Sequence, residues 1–133
     1  MSVGLLIVTH GQVGPALLQS ATEVLGCCPL MARTLEAHND CNPDDILDQA
    51  LAAAASLDTG DGLLVLTDLF GSTPSNIACR LQQFHQASVI AGINLPMLVR
   101  VLNYPSLHLD ELTHKAISGG RDGVLLCKTR IDR

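Results

Sequence analysis

Hydrophobic and polar positions along the 133 residues follow two periods that alternate from one end of the chain to the other. Short runs of consecutive apolar residues are typical of strands buried on both faces, and between these runs the apolar residues recur at helical spacing. The runs predict strands at Val3–Val8, around Leu30–Leu35, and at Leu63–Thr67, Ser88–Ala91 and Val124–Cys127. Because strands alternate with helices of roughly a dozen residues, we expect an α/β fold with a mostly parallel sheet and helices on both faces.

The predicted helices are bounded by residues that commonly begin and end helices. Asn42–Pro43 has the residue types favoured at an N-cap and a first helical position, and Gly26 stands where a C-cap glycine is expected. Apolar stripes predict helices at 17–25, 46–57, about 74–84, 97–102 and 109–116. We expect Phe84 to face the core, Cys79 to be a small buried residue, and Gly119–Gly120 to stop the last helix.

Composition narrows the class of protein. The length suits a single domain over residues 1–133, and 47% apolar with 16% charged residues excludes a disordered chain. Aromatic residues make up only 2%, so the core must be aliphatic, and aromatic platforms for stacking bases are missing. With a net charge of −5, the sequence carries no basic footprint for a phosphate backbone. We therefore expect no nucleic-acid partner.

Cysteine and histidine spacing bears on compartment and metals. Five cysteines without a CxxC pair form a poor disulfide framework and a poor zinc site, and no histidine pair has a metal-ligand spacing. The longest apolar runs are too short to span a bilayer, and no basic segment typical of a signal peptide is seen. We therefore expect a cytoplasmic protein that is not membrane-spanning and holds no metal.

Residues with catalytic potential follow two of the predicted buried strands. His10 and Gly11 come after the first, and Asp68, Gly71, Ser72 and Thr73 come after the third. In an open α/β sheet, ligands bind outside the carboxyl ends of the strands, so these residues are expected to meet at one edge. A histidine whose tautomer is fixed by a carboxylate can act as a nucleophile. The helix beginning at Ser72–Thr73 offers unpaired backbone N–H groups that favour a phosphate.

Each of these residues also has an ordinary structural explanation, such as helix capping, and only their convergence favours a function. No Gly-Lys pair is present for a P-loop, and Gly60–Val65 departs from GxGxxG at its last position. A phosphoryl group would therefore have to arrive already activated on another molecule. The remaining histidines are expected to face solvent: His38, His85, His108 and His114.

Four segments together resemble the mannose-family IIA domain of the bacterial phosphoenolpyruvate-dependent sugar phosphotransferase system. They are Ile-Val-Thr-His-Gly at 7–11, Leu-Thr-Asp-Leu-Phe-Gly at 66–71, Ala-Gly-Ile-Asn-Leu-Pro-Met-Leu at 91–98, and Gly-Gly-Arg-Asp-Gly-Val at 119–124. The second departs from the family pattern Asp-x-x-Gly-Gly-Ser-Pro-Phe-Asn. Ser72 replaces a glycine, Thr73 replaces the serine expected to bind phosphate, and Ser75 replaces an apolar residue of a docking face.

The resemblance implies a phosphotransferase without a cofactor. The phosphocarrier protein HPr would donate a phosphoryl group to His10, which pairs with Asp68 and passes the group to a IIB component. It further implies a doubly wound sheet and a homodimer in which the last strand, antiparallel, is exchanged between subunits. The phosphate-binding residues would be Gly11, Gly71, Ser72 and Thr73, and the residues lining the site or docking a partner would be Phe70, Asn94, Leu95, Pro96 and Met97.

Several alternatives stay open. A stand-alone regulatory protein could use the phosphorylation state of His10 to control a partner without transporting sugar. The phosphotransfer subunit of dihydroxyacetone kinase shares the histidine and the fold, but Phe70 and the Asn-Leu-Pro-Met segment favour the sugar system. A receiver domain would need an acidic pair after the first strand, where Thr9–His10 stands, and a histidine phosphatase would need an arginine before His10.

Overall fold

The computed structural model describes residues 2–38 and 40–128. Strands and helices alternate along most of the chain, as the hydrophobic pattern predicts. The strands are β1 Gly4–Thr9, β2 Ala32–Glu36, β3 Leu63–Thr67 and β4 Ala87–Ala91. The helices are α1 Val13–Leu25, α2 Pro43–Leu57, α3 Thr73–Arg80, α4 Leu95–Leu102 and α5 Leu109–Asp122, with a 3-10 turn at Leu81–Gln83 after α3.

The four strands form one parallel sheet in the order β2-β1-β3-β4. The chain winds outward from the centre in both directions, so the change in strand order lies between β1 and β3. Helices α1, α4 and α5 supply the core on one face of the sheet, and α2 and α3 supply it on the other. This arrangement confirms the predicted doubly wound α/β fold. No helix in residues 2–38 and 40–128 is both long and apolar enough to cross a membrane.

The core is aliphatic on both faces of the sheet. Along β1, Leu5 and Ile7 pack into one cluster while Leu6 and Val8 pack into the other, because successive side chains of a strand point to opposite faces. Every residue of β1 and β3 is buried, which is why these strands read as continuous apolar runs. None of the three aromatic residues contributes, since Phe70, Phe84 and Tyr104 are all exposed.

The predicted helix boundaries hold where capping residues set them. The Asn42 side chain accepts a hydrogen bond from the Asp44 N–H at 2.9 Å, and Pro43 is the first residue of α2. Gly26 ends α1 and donates its N–H to the Thr22 carbonyl at 2.8 Å. These ends were predictable because capping depends on local sequence.

Gly119–Gly120 does not stop the last helix, contrary to the prediction, because α5 continues to Asp122. The two glycines let α5 approach α4 closely. A Cβ at Gly119 would lie 2.7 Å from the Arg100 Cβ, and one at Gly120 would lie 2.8 Å from the Met97 Cε. Tertiary packing therefore explains glycines that local sequence reasoning assigned to a helix end.

The strand predicted at Val124–Cys127 is also wrong for the single chain, because the structure gives this segment no strand. The side chains of Val124, Leu125 and Leu126 are between 77% and 82% exposed. A strand needs a partner for its backbone groups, and this segment joins neither edge of its own sheet. The predicted exchange with a second subunit stays a prediction.

Two predictions for the third helix are wrong as well. Helix α3 ends at Arg80, and the 3-10 turn that follows changes the helical phase. Phe84 therefore faces solvent, with 57% of its surface exposed. Cys79 is exposed and not buried, because Ile77, Ala78 and Leu81 form the buried stripe.

Candidate active site

The sheet brings His10 and Asp68 together at the carboxyl ends of its two central strands. His10 directly follows β1, Asp68 directly follows β3, and these strands are neighbours at the change in strand order. The His10 Nδ1 lies 3.0 Å from the Asp68 Oδ2, and the His10 backbone N–H donates to the same oxygen, also at 3.0 Å. Both the ring and the backbone of His10 are thereby fixed to one carboxylate.

The Asp68 carboxylate is held in its ionised form. Burial alone would raise the pKa of Asp68. The hydrogen bonds from the His10 backbone and ring outweigh this effect and lower the pKa, and the ring's charge and the Asp68 backbone act in the same direction. Its second oxygen accepts the Leu69 N–H at 3.0 Å. An ionised carboxylate can only accept hydrogen bonds, so His10 carries a proton on Nδ1. In the neutral ring, Nε2 is then the nitrogen with a free lone pair.

Access to His10 comes from the solvent side, since its side chain is 37% exposed. Gly11 follows with φ of +43°, a left-handed conformation that turns the chain from β1 into α1. The buried Thr9 hydroxyl oxygen accepts the Gly14 N–H at 2.8 Å and so anchors the first turn of α1. A Cβ at Gly14 would lie 2.9 Å from the Ile7 Cγ2 and from that hydroxyl oxygen, so α1 begins close against β1.

The loop of residues Asp68–Ser72 connects β3 to α3 and is closed by its own hydrogen bonds. The Ser72 hydroxyl donates to the Leu69 carbonyl at 2.5 Å, and the Ser72 N–H donates to the same oxygen at 3.3 Å. Gly71 has φ of +82° and donates its N–H to the Ser75 hydroxyl oxygen at 3.3 Å. Two groups predicted to bind phosphate therefore stabilise the turn in this structure, and their role toward phosphate stays a prediction.

Ser72 is the N-cap of α3 but does not cap it with its side chain. Thr73 is the first residue of α3 and is partly buried. The N-terminal end of α3 thus follows Asp68 by only a few residues, and its dipole favours negative charge. Gly71, Ser72 and Thr73 lie at this end of α3, and their binding of phosphate stays a prediction.

The Asp68–Ser72 loop also carries two exposed apolar side chains. Phe70 is 81% exposed and Leu69 is 63% exposed, so neither belongs to the core. The prediction that Phe70 serves the site or a partner, and not the core, agrees with this exposure. Large exposed apolar side chains beside a reactive group are typical of a binding surface.

The segment Asn94–Met97, predicted to line the site or dock a partner, caps and packs the start of α4. Asn94 caps α4, because its Oδ1 accepts the Met97 N–H at 2.9 Å, and its amide donates to the Gly120 carbonyl of α5 at 3.1 Å. Met97 is buried, Leu95 is half-buried and Pro96 is exposed. The capping and packing explain the residue types here, and a docking role for this segment stays a prediction.

Sequence reasoning missed the buried Ser75 hydroxyl, the Thr9 hydroxyl and a second histidine–aspartate pair. The His85 Nδ1 lies 2.9 Å from the Asp58 Oδ2, and both side chains are largely buried, which corrects the expectation that His85 faces solvent. This pair lies at the opposite end of the sheet, before the start of β3 and β4. A serine three positions after the N-cap was the available signal for Ser75.

Two further features complete the surroundings of the site. Glu36 ends β2, and its Oε2 lies 3.8 Å from where a Gly11 Cβ would stand. The same Glu36 oxygen lies 3.2 Å from the Nε2 of the exposed His38. In residues 2–38 and 40–128, no group of three or more histidine, cysteine or acidic side chains could hold a metal ion.

Comparison with known proteins agrees with this geometry. The chain is 34% identical over 135 aligned positions to the "PTS system mannose-specific EIIAB component" of Escherichia coli strain K12, covering 98% of this chain but only 41% of that protein. It is 30% identical to the "Transcriptional regulatory protein LevR" of Bacillus subtilis, over 83% of this chain and 12% of that protein. The mannose/sorbose-specific IIA subunit of the phosphotransferase system from Enterococcus faecalis superposes with a TM-score of 0.86 at 25% identity, covering 98% of each chain.

The chain therefore spans less than half the length of that EIIAB component. The sequence model described as "PTS system fructose IIA component" matches residues 4–117, which include both central strands, His10 and the Asp68–Ser72 loop. The match covers most of the chain and agrees with the fold and with the similarity to a mannose-specific relative. The chain belongs to the EIIA-man family of phosphotransferase system IIA components.

Proposed function

We propose that this protein relays a phosphoryl group through a covalent intermediate on the Nε2 of His10. The observation that carries the proposal is the 3.0 Å contact between the His10 Nδ1 and the ionised Asp68 carboxylate. In the neutral ring this contact leaves the free lone pair on Nε2, and the His10 side chain is 37% exposed. The contact also places a negative charge beside the ring at the stage when the ring becomes cationic.

The proposed step is an in-line displacement at phosphorus. The Nε2 lone pair of His10 forms a bond to the phosphorus of a phosphorylated donor protein, and the bond between phosphorus and the donor's nitrogen breaks. The electron pair of the broken bond returns to the donor's ring. The proton stays on Nδ1 and donates a hydrogen bond to Asp68 throughout, so the phosphorylated ring is a cation paired with a carboxylate. Transfer to the acceptor reverses these events.

The phosphoryl oxygens would lie between the turn at Gly11 and the start of α3. The backbone of Gly11 and Ser72 and the hydroxyls of Ser72 and Thr73 are the proposed ligands, and Gly71 would line the phosphate site while its N–H stays bound to Ser75. Helix N-termini favour anions because their first N–H groups point outward along the dipole. The hydrogen bonds that now close the Asp68–Ser72 loop would rearrange in part when phosphate binds.

The proposed donor is phosphorylated HPr and the proposed acceptor is a IIB component. Both are motivated by family membership and by the likeness to a mannose-specific EIIAB component. The exposed Phe70 and Leu69 and the half-exposed start of α4 are the proposed docking residues. All five cysteines are free, which suits the reducing cytoplasm as the place of action.

We also propose a homodimer built with the Val124–Cys127 segment. Its apolar side chains are exposed in the single chain, and β4 lies at the edge of the sheet. Pairing of this segment with β4 of a second copy would give hydrogen-bond partners to the backbone of the segment and to the open edge of β4. The chain ended after Gly123 should then sediment as a monomer while the full chain sediments as a dimer, and equal sedimentation would refute the exchange.

A regulatory role is the second candidate. The similarity to a protein named a transcriptional regulator, over 83% of this chain, favours it. In that case the phosphorylation state of His10 would control a partner, with no transfer to a IIB component. Phosphorylated and unphosphorylated protein should then retain different partners, and identical sets of partners would exclude this role.

The experiment for the shared step is incubation with phosphoenolpyruvate, enzyme I and HPr. One phosphoryl group per chain should be added to the wild type and none to His10→Ala. The matched control is His85→Ala, which removes the other aspartate-bound histidine and should be labelled like the wild type. Equal labelling of His10→Ala and the wild type would reject the proposed function.

A further inference from the structure

The buried hydroxyl of Ser75 lies behind the active-site loop and has no part in the chemistry proposed above. Ser75 is 2% exposed and sits in the first turn of α3. Its oxygen accepts the Gly71 N–H at 3.3 Å, from outside the helix. Since α3 packs against both central strands, Ser75 is a rigid anchor at the base of the loop.

The loop is held at both sides of its exposed phenylalanine. Before Phe70, the Leu69 N–H is bound by the Asp68 carboxylate, and the Leu69 carbonyl accepts from Ser72. After Phe70, the Gly71 N–H is bound by Ser75. The first set of contacts involves the active-site carboxylate itself, whereas Ser75 adds a separate attachment to the helix.

Gly71 needs this attachment more than an ordinary residue would. Its φ of +82° lies in the left-handed region, which glycine adopts without strain. Glycine adopts many other backbone conformations as easily, because it has no side chain to restrict them. A Cβ at Gly71 would contact nothing within 4 Å, which shows open space beside its Cα. The hydrogen bond to Ser75 therefore restrains the direction in which Phe70 projects, together with the two hydrogen bonds from Ser72 to the Leu69 carbonyl.

We infer that Ser75 is a positioning residue for docking of the phosphoryl donor, acting through the Gly71 N–H on the exposed Phe70. This inference rests on the proposed function. It assigns to Ser75 an effect on how the donor protein meets the loop. It assigns no effect on the His10–Asp68 pair, which is held by its own hydrogen bonds.

The test is Ser75→Ala, with Ser56→Ala as the matched control. Ser56 is also a helix serine with a hydrogen-bonded hydroxyl, which donates to the Ala53 carbonyl at 2.8 Å, but it is exposed on α2. In Ser75→Ala we expect amide exchange at Gly71 to accelerate about tenfold, which corresponds to loss of one hydrogen bond. We expect the KM for phosphorylated HPr to rise about three- to tenfold with kcat within twofold of the wild type. Ser75→Thr, which restores the acceptor, should return the KM toward the wild-type value.

The outcomes separate the inference from the function on which it rests. An unchanged KM, or an unchanged exchange rate at Gly71, in a folded Ser75→Ala protein would overturn the inference while leaving phosphorylation of His10 intact. A fall in kcat alone would also overturn it, because Ser75 would then act on the chemical step. Failure of the wild type to accept a phosphoryl group would overturn both. If Ser75→Ala does not fold, Ser75→Cys, which keeps the size of the side chain but offers only a weak acceptor, decides: a raised KM supports the inference and an unchanged KM overturns it.

Discussion

Replacing Asp68 with asparagine removes the charge beside His10 and keeps the shape of the side chain. In the wild type, one carboxylate oxygen accepts two N–H groups from His10 and the other accepts the Leu69 N–H. In asparagine, one of these two oxygens is replaced by an amide NH₂ group, which donates and does not accept. Whichever way the amide is oriented, at least one of these N–H groups faces another donor. We therefore expect Asp68→Asn to weaken both the position and the tautomer of His10.

The magnitude follows from the number and kind of hydrogen bonds. A hydrogen bond to a charged group contributes about 1.5–3 kcal/mol, and a neutral one about 0.5–1.5 kcal/mol. If one charge-assisted bond is lost as the His10 ring becomes cationic, the barrier to phosphoryl transfer rises by about 1.5–3 kcal/mol. Since about 1.4 kcal/mol corresponds to a tenfold change, the rate should fall roughly ten- to a hundredfold.

The assay is single-turnover phosphoryl transfer from phosphorylated HPr, read together with ¹⁵N NMR of the His10 ring. The matched control is Asp58→Asn, because Asp58 also binds a histidine Nδ1 and two backbone N–H groups, at the other end of the sheet. Both variants should lose comparable stability, but only Asp68→Asn should lose transfer. A transfer rate for Asp68→Asn within twofold of the wild type would refute the reasoning, as would an equal loss in Asp58→Asn.

Three further predictions concern packing, docking and acid stability. Gly4→Ala should lower the free energy of unfolding by about 1–3 kcal/mol in a urea titration, because its Cβ would lie 2.6 Å from the Leu57 carbonyl oxygen; an unchanged midpoint contradicts this packing. Phe70→Ala should change stability by less than about 0.5 kcal/mol and raise the KM for the donor, so a large loss of stability would return Phe70 to the core. The hydrogen bonds from His85 and two glycines hold the pKa of Asp58 below its ordinary value of 3.8. The ionised Asp58 therefore stabilises the fold above pH 3.8, and this stabilisation is lost as the pH falls through the lowered pKa. Asp58→Asn should therefore flatten the acid limb of the stability curve, and an unaltered limb would exclude the contribution.

The sequence predicted what depends on local pattern. The buried strands β1 and β3, the Asn42 cap and the meeting of His10 with Asp68 all follow from periodicity and from the geometry of parallel sheets. The central position of β1 and β3 in the sheet could be expected because both are apolar over their whole length, which suits strands covered on both faces.

Features that depend on tertiary contact could not be predicted in the same way. Gly119 permits close approach of two helices, but in the sequence it resembles a helix end. Phe84 faces solvent because a 3-10 turn shifts the phase of its helix. The hydroxyl of Ser75 reaches back to Gly71 across a turn whose shape no spacing rule specifies.

The segment at Val124–Cys127 illustrates a further limit. Its apolar pattern is that of a strand, yet the single chain leaves it outside the sheet. Secondary structure that needs a partner chain can be indicated by sequence and still be missing from the monomer, because strand hydrogen bonds are made between segments.

The central claim is that the phosphoryl group is carried on the Nε2 of His10 while the Nδ1 stays bound to Asp68. The most direct measurement is ¹⁵N and ³¹P NMR of the ¹⁵N-histidine-labelled protein before and after phosphorylation by phosphoenolpyruvate, enzyme I and HPr. We expect a protonated Nδ1 in both states and a bond from phosphorus to Nε2 of His10 in the second. Phosphorus on Nδ1, or on any residue other than His10, would contradict it.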